Sequence, residues 1–118
     1  PRHLKKIGKM IGDGWQKLAK KHGLKINVIG PEALITFSFD YGQDSQAIRT
    51  LFTQEMLKRG FLASSSVYVS YAHKETQVKK YLKSVDEVFG FIKKAISDKK
   101  VSTLLNGPVA HTGFKRLT

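Results

Sequence analysis

The sequence contains no cysteine, and its four histidines are scattered along 118 residues. A chain without cysteine forms no disulfide and no thiolate metal site, and these histidines lack the spacing that places two ligands on one helix face. No apolar run approaches the roughly 20 residues that cross a bilayer. We therefore expect a protein without disulfides, metal or membrane contact, in keeping with a reducing cytoplasm.

Acidic residues are also few: nine Asp and Glu stand against 21 Lys and Arg, which gives a net charge of +12. Such an excess raises nucleic acid or an acidic surface as a partner. The basic segments 2–25 and 74–100 are not interleaved with the exposed aromatic residues typical of single-strand binders. Four aromatic residues could stack on bases from an open sheet face: Phe37, Phe39, Tyr68 and Tyr71. Nucleic acid is not the expected partner, and a free-standing basic nucleic-acid-binding module remains the alternative.

Catalytic motifs are missing as well. Neither a nucleophile elbow nor a glycine-rich phosphate loop occurs, and Gly8, Gly12 and Gly14 follow no strand, so they predict close helix packing instead. His73 is expected to pack or cap at the junction of a strand and a helix. A Schiff-base lysine needs a desolvated pocket, whereas the lysines here fall on polar helix positions. We predict no catalytic, cofactor-binding or metal-binding residue within this chain.

Hydrophobic periodicity predicts three helices. The first ends before Gly23, the second begins at Asp44 or Ser45 and ends at Gly60, and the third covers Lys74–Ile96. The positions predicted to be buried are Leu4, Ile7, Ile11, Trp15 and Leu18, then Ile48, Leu51, Phe52 and Met56, then Val78, Tyr81, Leu82, Val85, Val88, Phe89, Ile92 and Ile96.

Between these helices lie three segments typical of strands: Lys25–Ile29, Ala33–Phe39 and Val67–Ala72. In the second, Ile35, Phe37 and Phe39 share one face, and the other face takes Thr36 and Ser38. Short connections favour antiparallel pairing. The sequence therefore predicts an α+β domain, a small antiparallel sheet of about three strands with helices packed on one face, over residues 1–97. We expect residues 98–118 to form an irregular arm with a short strand at Pro108–His111.

Three stretches together resemble one enzyme family. Trp15–Leu24 (WQKLAKKHGL) and Phe52–Gly60 (FTQEMLKRG) resemble two helices of the small domain of glutamate-1-semialdehyde 2,1-aminomutases and their aminotransferase relatives. Val69–His73 (VSYAH), with the helix after it, is similar to the family's strand that ends in Ala-His before the closing helix. The resemblance covers about residues 1–96 and is to the C-terminal small domain of class III, fold type I aminotransferases.

The resemblance implies that the chain works inside a larger enzyme that uses pyridoxal phosphate (PLP). In that family the cofactor lysine, the phosphate site and the aspartate at the pyridine nitrogen belong to an N-terminal large domain, and the enzyme is a homodimer. The small domain closes one wall of the substrate site. We therefore expect this chain to bind no PLP alone, to be inactive alone, and to act by shaping the substrate site of a transaminase or aminomutase.

Two departures from the family concern the substrate. Many class III aminotransferases hold a substrate carboxylate with an arginine in the region that corresponds to Phe61–His73, and none occurs here. The aminomutases carry a longer loop with an acidic residue, where this chain has Ser64, Ser65 and Ser66. These three serines are the candidate loop near the substrate, since hydroxyl groups can bind a polar substrate without charge. Ordinary turn formation by serine explains the same residues equally well.

Overall fold

A computed structural model describes residues 2–31, 34–62, 66–68 and 75–108, with the backbone alone for 2–4 and 66–68. In chain order the elements are α1 (Arg2–His22), β1 (Ile26–Ile29), β2 (Leu34–Phe39), a 3-10 turn (Gly42–Asp44), α2 (Ser45–Lys58), β3 (Ser66–Tyr68), α3 (Glu75–Ser97) and α4 (Val101–Leu104).

The strands form one antiparallel sheet in the order β1-β2-β3. Ile26 pairs with Phe39 and Ile29 with Thr36 on one side of β2, and Thr36 pairs with Ser66 on the other. The side chains of Ile35, Phe37 and Phe39 point into the core. The predicted α+β class, with about three strands covered by helices on one face, is confirmed.

Phe37 lies at the centre of the core. Its ring centroid is 4.8 Å from that of Trp15 on α1, 5.3 Å from Phe52 on α2 and 5.8 Å from Phe89 on α3. All four side chains are almost fully buried. Tilted and edge-to-face rings at these separations add favourable electrostatics to the burial of large apolar surfaces. One residue of the central strand thus joins all three long helices.

Helices α1 and α3 run side by side in the same direction. Lys6 reaches Glu75 near their beginnings, at 2.7 Å, and Lys21 reaches Asp86 nearer their ends, at 2.9 Å. Glycines allow α1 to lie close to its neighbours: a Cβ at Gly12 would lie 2.6 Å from Ile35 Cδ1, and one at Gly14 would lie 2.6 Å from Leu82 Cδ1. The close packing predicted from the glycines of this helix is confirmed for Gly12 and Gly14.

The predicted and observed bounds differ mainly near the end of the described chain. Val101–Leu104 forms α4 inside the segment predicted as an irregular arm, because Gln54 of α2 holds it. Gln54 Nε2 donates to the Leu104 carbonyl at 2.9 Å, and its Oε1 accepts from the Asn106 amide at 2.7 Å. A four-residue helix has no period that a sequence pattern can reveal. The predicted strand at 108–111 falls outside the described residues except for Pro108, which is not in a strand.

Candidate functional site

The face of the sheet that points away from the helices is the candidate functional surface. Side chains alternate along a strand, so the residues beside the buried positions turn to this face: Asn27 and Ile29 on β1, and Leu34, Thr36 and Ser38 on β2. We call these five residues the open face. Ile29 is 56% exposed and Leu34 is 46% exposed. Two large aliphatic side chains therefore project into solvent from a sheet whose opposite face is the core.

A tight turn brings the two aliphatic residues together. Gly30 has φ 105°, and a Cβ at this position would lie 2.6 Å from the Leu34 carbonyl oxygen. The Leu34 amide donates to the Pro31 carbonyl at 2.9 Å and closes the turn. Because only glycine adopts this backbone without strain and without that contact, Gly30 fixes the positions of Ile29 and Leu34.

The register of β3 relates the predicted serine loop to the open face. Ser66 is paired with Thr36, and Tyr68 with Leu34. Because Thr36 belongs to the open face, the backbone pairing brings the start of β3 next to that face. The segment with Ser64 and Ser65 lies outside the described residues. The three serines remain a prediction, with the first residue of β3 at the margin of the open face.

Charge separates the open face from the helical side of the domain. None of the five open-face residues carries a formal charge, although the chain carries +12. The helical side holds exposed lysines on α1 and α3: Lys5, Lys6, Lys9, Lys17, Lys20, Lys21, Lys79, Lys80, Lys83 and Lys94. An uncharged surface with protruding aliphatic side chains is suited to burial against another protein surface, since little desolvation of charge opposes contact.

The histidine nearest to an acidic residue in the described ranges belongs to a contact between helices. His22 Nε2 lies 2.6 Å from Asp86 Oδ1, and Lys21 Nζ donates to both Asp86 oxygens at 2.9 and 3.0 Å. The hydrogen bonds from Lys21 and then from His22 hold the pKa of Asp86 below its usual range. The His22 ring also lies against Gly90. This cluster joins the end of α1 to α3, which is a structural role.

Two further ionisable groups lie on the helical side, Glu55 buried and Tyr81 partly buried. Burial acts to raise the pKa of Glu55, but hydrogen bonds with Gln54, Lys58 and Arg59 outweigh it and the net pKa is lowered. Burial raises the pKa of Tyr81 well above its usual range, although Trp15 Nε1 donates to its hydroxyl at 3.1 Å. Both groups have partners inside the domain and support packing.

The described residues do not fit as a holding site for PLP. None of the lysines whose side chains are described is buried, so none has the dry environment that keeps an amine neutral and nucleophilic. Within the same part of the chain, no three acidic or histidine side chains form a group that could hold a metal ion. No described helix is long and apolar enough to span a membrane.

The aromatic residues considered for base stacking divide between the core and the undescribed part. Phe37 and Phe39 are 1% and 4% exposed, so neither ring can stack on a base. The side chains of Tyr68, Tyr71 and His73 lie outside the described residues. A stacking platform on this sheet therefore loses two of its four candidate rings.

The fold is similar to part of a solved structure. The PLP internal aldimine form of the FumI protein of Sphingopyxis sp. MTA144 matches this chain with a TM-score of 0.69 and 20% sequence identity. The match covers 81% of this chain and 23% of that chain, so this domain corresponds to less than a quarter of a longer protein. No family model and no curated protein sequence matches this chain.

Proposed function

We propose that this chain is the C-terminal small domain of a class III, PLP-dependent aminotransferase or aminomutase of the glutamate-1-semialdehyde 2,1-aminomutase type. The observation that carries the proposal is the match in fold to a portion of a longer protein described in its PLP form. The residues that resemble the family, in Trp15–Leu24 and Phe52–Gly60, support it independently. They lie in α1 with the turn that follows it, and in α2 with its end, and both helices cover the sheet.

The open face supports a role inside a larger chain. Ile29 and Leu34 would be buried against an N-terminal large domain, while the lysine-rich side of α1 and α3 would remain in water. PLP would supply the electron sink for moving an amino group and would be held by the large domain. This domain would close one wall of the substrate site and exclude water from it. A cytoplasmic homodimer is part of the same proposal.

The serine loop is the proposed substrate contact of this domain. Ser64, Ser65 and Ser66 precede or begin β3, and the pairing of Ser66 with Thr36 brings this end of the strand to the margin of the open face. Hydroxyl groups there would bind a polar substrate by neutral hydrogen bonds in place of the missing arginine. Replacing Ser65 with Ala in the intact enzyme should raise KM for the substrate that it contacts. Unchanged kinetics with every amino donor and acceptor would remove this role.

The decisive experiment for the proposed family is isolation of the natural gene product. We expect on the order of 300 further residues before Pro1, by typical domain sizes, and an absorbance band from bound PLP. Reduction with borohydride followed by peptide mapping should find the modified lysine outside residues 1–118. A natural product that begins at Pro1 and binds no PLP would contradict the proposal.

A matched pair of variants tests the open face within that product. Ser38→Glu adds one negative charge to the open face opposite Asn27, and Gln16→Glu adds the same charge at an exposed position of α1. If the open face packs against the large domain, Ser38→Glu should lower transaminase activity at least tenfold and Gln16→Glu should not. Equal activity of the two variants would show that the open face faces water in the enzyme.

A further inference from the structure

A cleft of about 440 Å³ lies where the beginning of α2 meets the end of α3 and α4. It is away from the open face, because its walls come from the helical side of the domain. Half of the residues that line it are aliphatic: Ala47, Ile48, Ile96 and Val101. Clefts of this size with an apolar lining and a few polar groups are typical of sites for small molecules.

Two opposite charges line the cleft without pairing with each other. Asp44 stands at the N-cap of α2 and makes no side-chain capping hydrogen bond. Lys99 follows α3. Among the described residues no ion pair within 4.0 Å joins Asp44 or Lys99 to any partner. The cleft therefore presents one anion, one cation and an aliphatic surface, together with Tyr41 and Ser102.

The backbone at Lys99 gives a second, independent reason to regard its side chain as functional. All three long helices end with an amide that bonds five residues back: Leu24 to Ala19, Phe61 to Met56, and Lys100 to Ala95. The residue before that amide has a positive φ in each case, and α1 and α2 have glycine there, Gly23 and Gly60.

At the third helix end the residue is a lysine, with φ 55°. Glycine is favoured at this position because it has no Cβ to be strained. The backbone conformation therefore disfavours lysine at this position. A role for the lysine ammonium group in binding a ligand would explain why lysine is present despite that cost.

We propose that this cleft binds a small aliphatic amino acid, with the ligand carboxylate at Lys99, the ligand ammonium at Asp44 and the aliphatic side chain against Ile96 and Val101, which are both partly exposed. A zwitterion satisfies both charges at once, and its apolar part covers the lining. The site does not depend on PLP or on the proposed enzyme family. An open cleft and so small a ligand give a dissociation constant on the order of 1 mM.

The test is a titration of the 15N-labelled 118-residue chain with leucine, followed by NMR. We expect amide shifts confined to residues 41–48 and 96–102. Leucinamide lacks the carboxylate, and 4-methylpentanoate lacks the ammonium group, so each should bind at least fivefold more weakly than leucine. Because the titration uses this chain alone and without PLP, its result does not depend on whether the chain belongs to the proposed aminotransferase.

Substitutions at Lys99 and Asp44 then test whether each charged side chain contacts the ligand. Lys99→Gly removes the side chain and suits the positive φ, so the melting temperature should stay the same or rise while leucine binding falls at least fivefold. Asp44→Asn keeps a residue able to cap α2 and should weaken binding similarly. Lys100→Ala, the matched control, changes the adjacent lysine, which does not line the cleft, and should leave binding unchanged.

Three results would overturn the proposal. The first is the absence of shifts around the cleft at the solubility limit of leucine. The second is equal binding by Lys99→Gly and the unaltered chain. The third is a shift of the same amides with protein concentration alone, because that would mean that a second copy of the chain covers the cleft.

Discussion

The two faces of one sheet differ completely in what their side chains contact. On the helical face Ile35, Phe37 and Phe39 are at most 6% exposed, whereas Ile29 and Leu34 on the open face are about half exposed. All five residues are large and apolar, and they come from the same two strands. Hydrophobic composition alone therefore does not decide which strand positions form the core of this domain.

The difference follows from the helices and the pleat. Three long amphipathic helices cover one face, and nothing within the described residues covers the other. Burying apolar surface contributes roughly 25 cal/mol per Å², so the helical face carries the stability of the isolated chain. The open face is left available for contact with another protein surface.

Phe37→Ala is expected to have the largest effect on stability and therefore gives the strongest test of the difference between the two faces of the sheet. Phe37 contacts rings from all three long helices, and loss of a buried aromatic side chain with the resulting cavity should cost about 3 to 5 kcal/mol. Urea denaturation measures the change. Ser38→Ala, one residue along on the open face, should alter the free energy of unfolding by less than about 0.5 kcal/mol. Similar losses for the two variants would contradict the assignment of the faces.

Gly30→Ala should have the next largest effect. The positive φ alone should cost about 1 kcal/mol for a residue with a Cβ, and contact with the Leu34 carbonyl should bring the total to about 3 kcal/mol. Gly60→Ala is the matched control, because its φ is 90° and a Cβ there would meet nothing within 4 Å. We expect about 1 kcal/mol for the control by thermal unfolding. Equal costs would mean that the turn relaxes around the added methyl group.

The contact between α1 and α3 predicts a pH dependence on the helical side. The pKa of Asp86 is lowered in the folded chain, so the stabilisation is present above the unfolded pKa of about 3.9 and is lost as pH falls through the folded value. Asp86 is about one-third exposed, so we expect Asp86→Asn to cost only about 0.5 kcal/mol at pH 7. The cost should vanish near the acid limit of stability. A cost that is independent of pH would exclude this ion pair as its source.

A small effect is expected on the open face of the isolated chain. Ile29→Ser combined with Leu34→Ser should change the free energy of unfolding by only about 1 kcal/mol, because about half of each side chain is already in water. The same double variant in the proposed parent enzyme should weaken packing against the large domain and lower activity. A loss of several kcal/mol in the isolated chain would mean that the open face is covered.

Much of the fold could be predicted because its signals are periodic. Steps of three and four residues located α1, α2 and α3, and strict alternation in β2 separated Ile35, Phe37 and Phe39 from Thr36 and Ser38. Glycines marked the ends of α1 and α2 because the reversal after a helix requires a positive φ there. Ala95, which is buried in α3, was missed because its single methyl group adds little to a hydrophobic pattern and alanine is favoured at any helix position.

The candidate sites were harder to predict. The serine loop came from the family resemblance and remains a prediction. Alternation in β2 predicted that Thr36 and Ser38 lie on the face opposite the core. It did not predict that Ile29 and Leu34 are exposed, because isoleucine and leucine are typical core residues. The cleft had no signal at all, since Asp44 and Lys99 are 55 positions apart and only the end of α3 beside α2 brings them to one cavity.

The sequence by itself determined the three long helices, the strands β1 and β2, the α+β class and the absence of disulfides, because these depend on local periodicity and composition. Tertiary structure alone decided that Ile29 and Leu34 stay exposed, that α1 and α3 run parallel, and that Gln54 holds α4. Each of those outcomes depends on contacts between residues that are far apart in the chain. Such contacts cannot be predicted from the periodicity of a single segment.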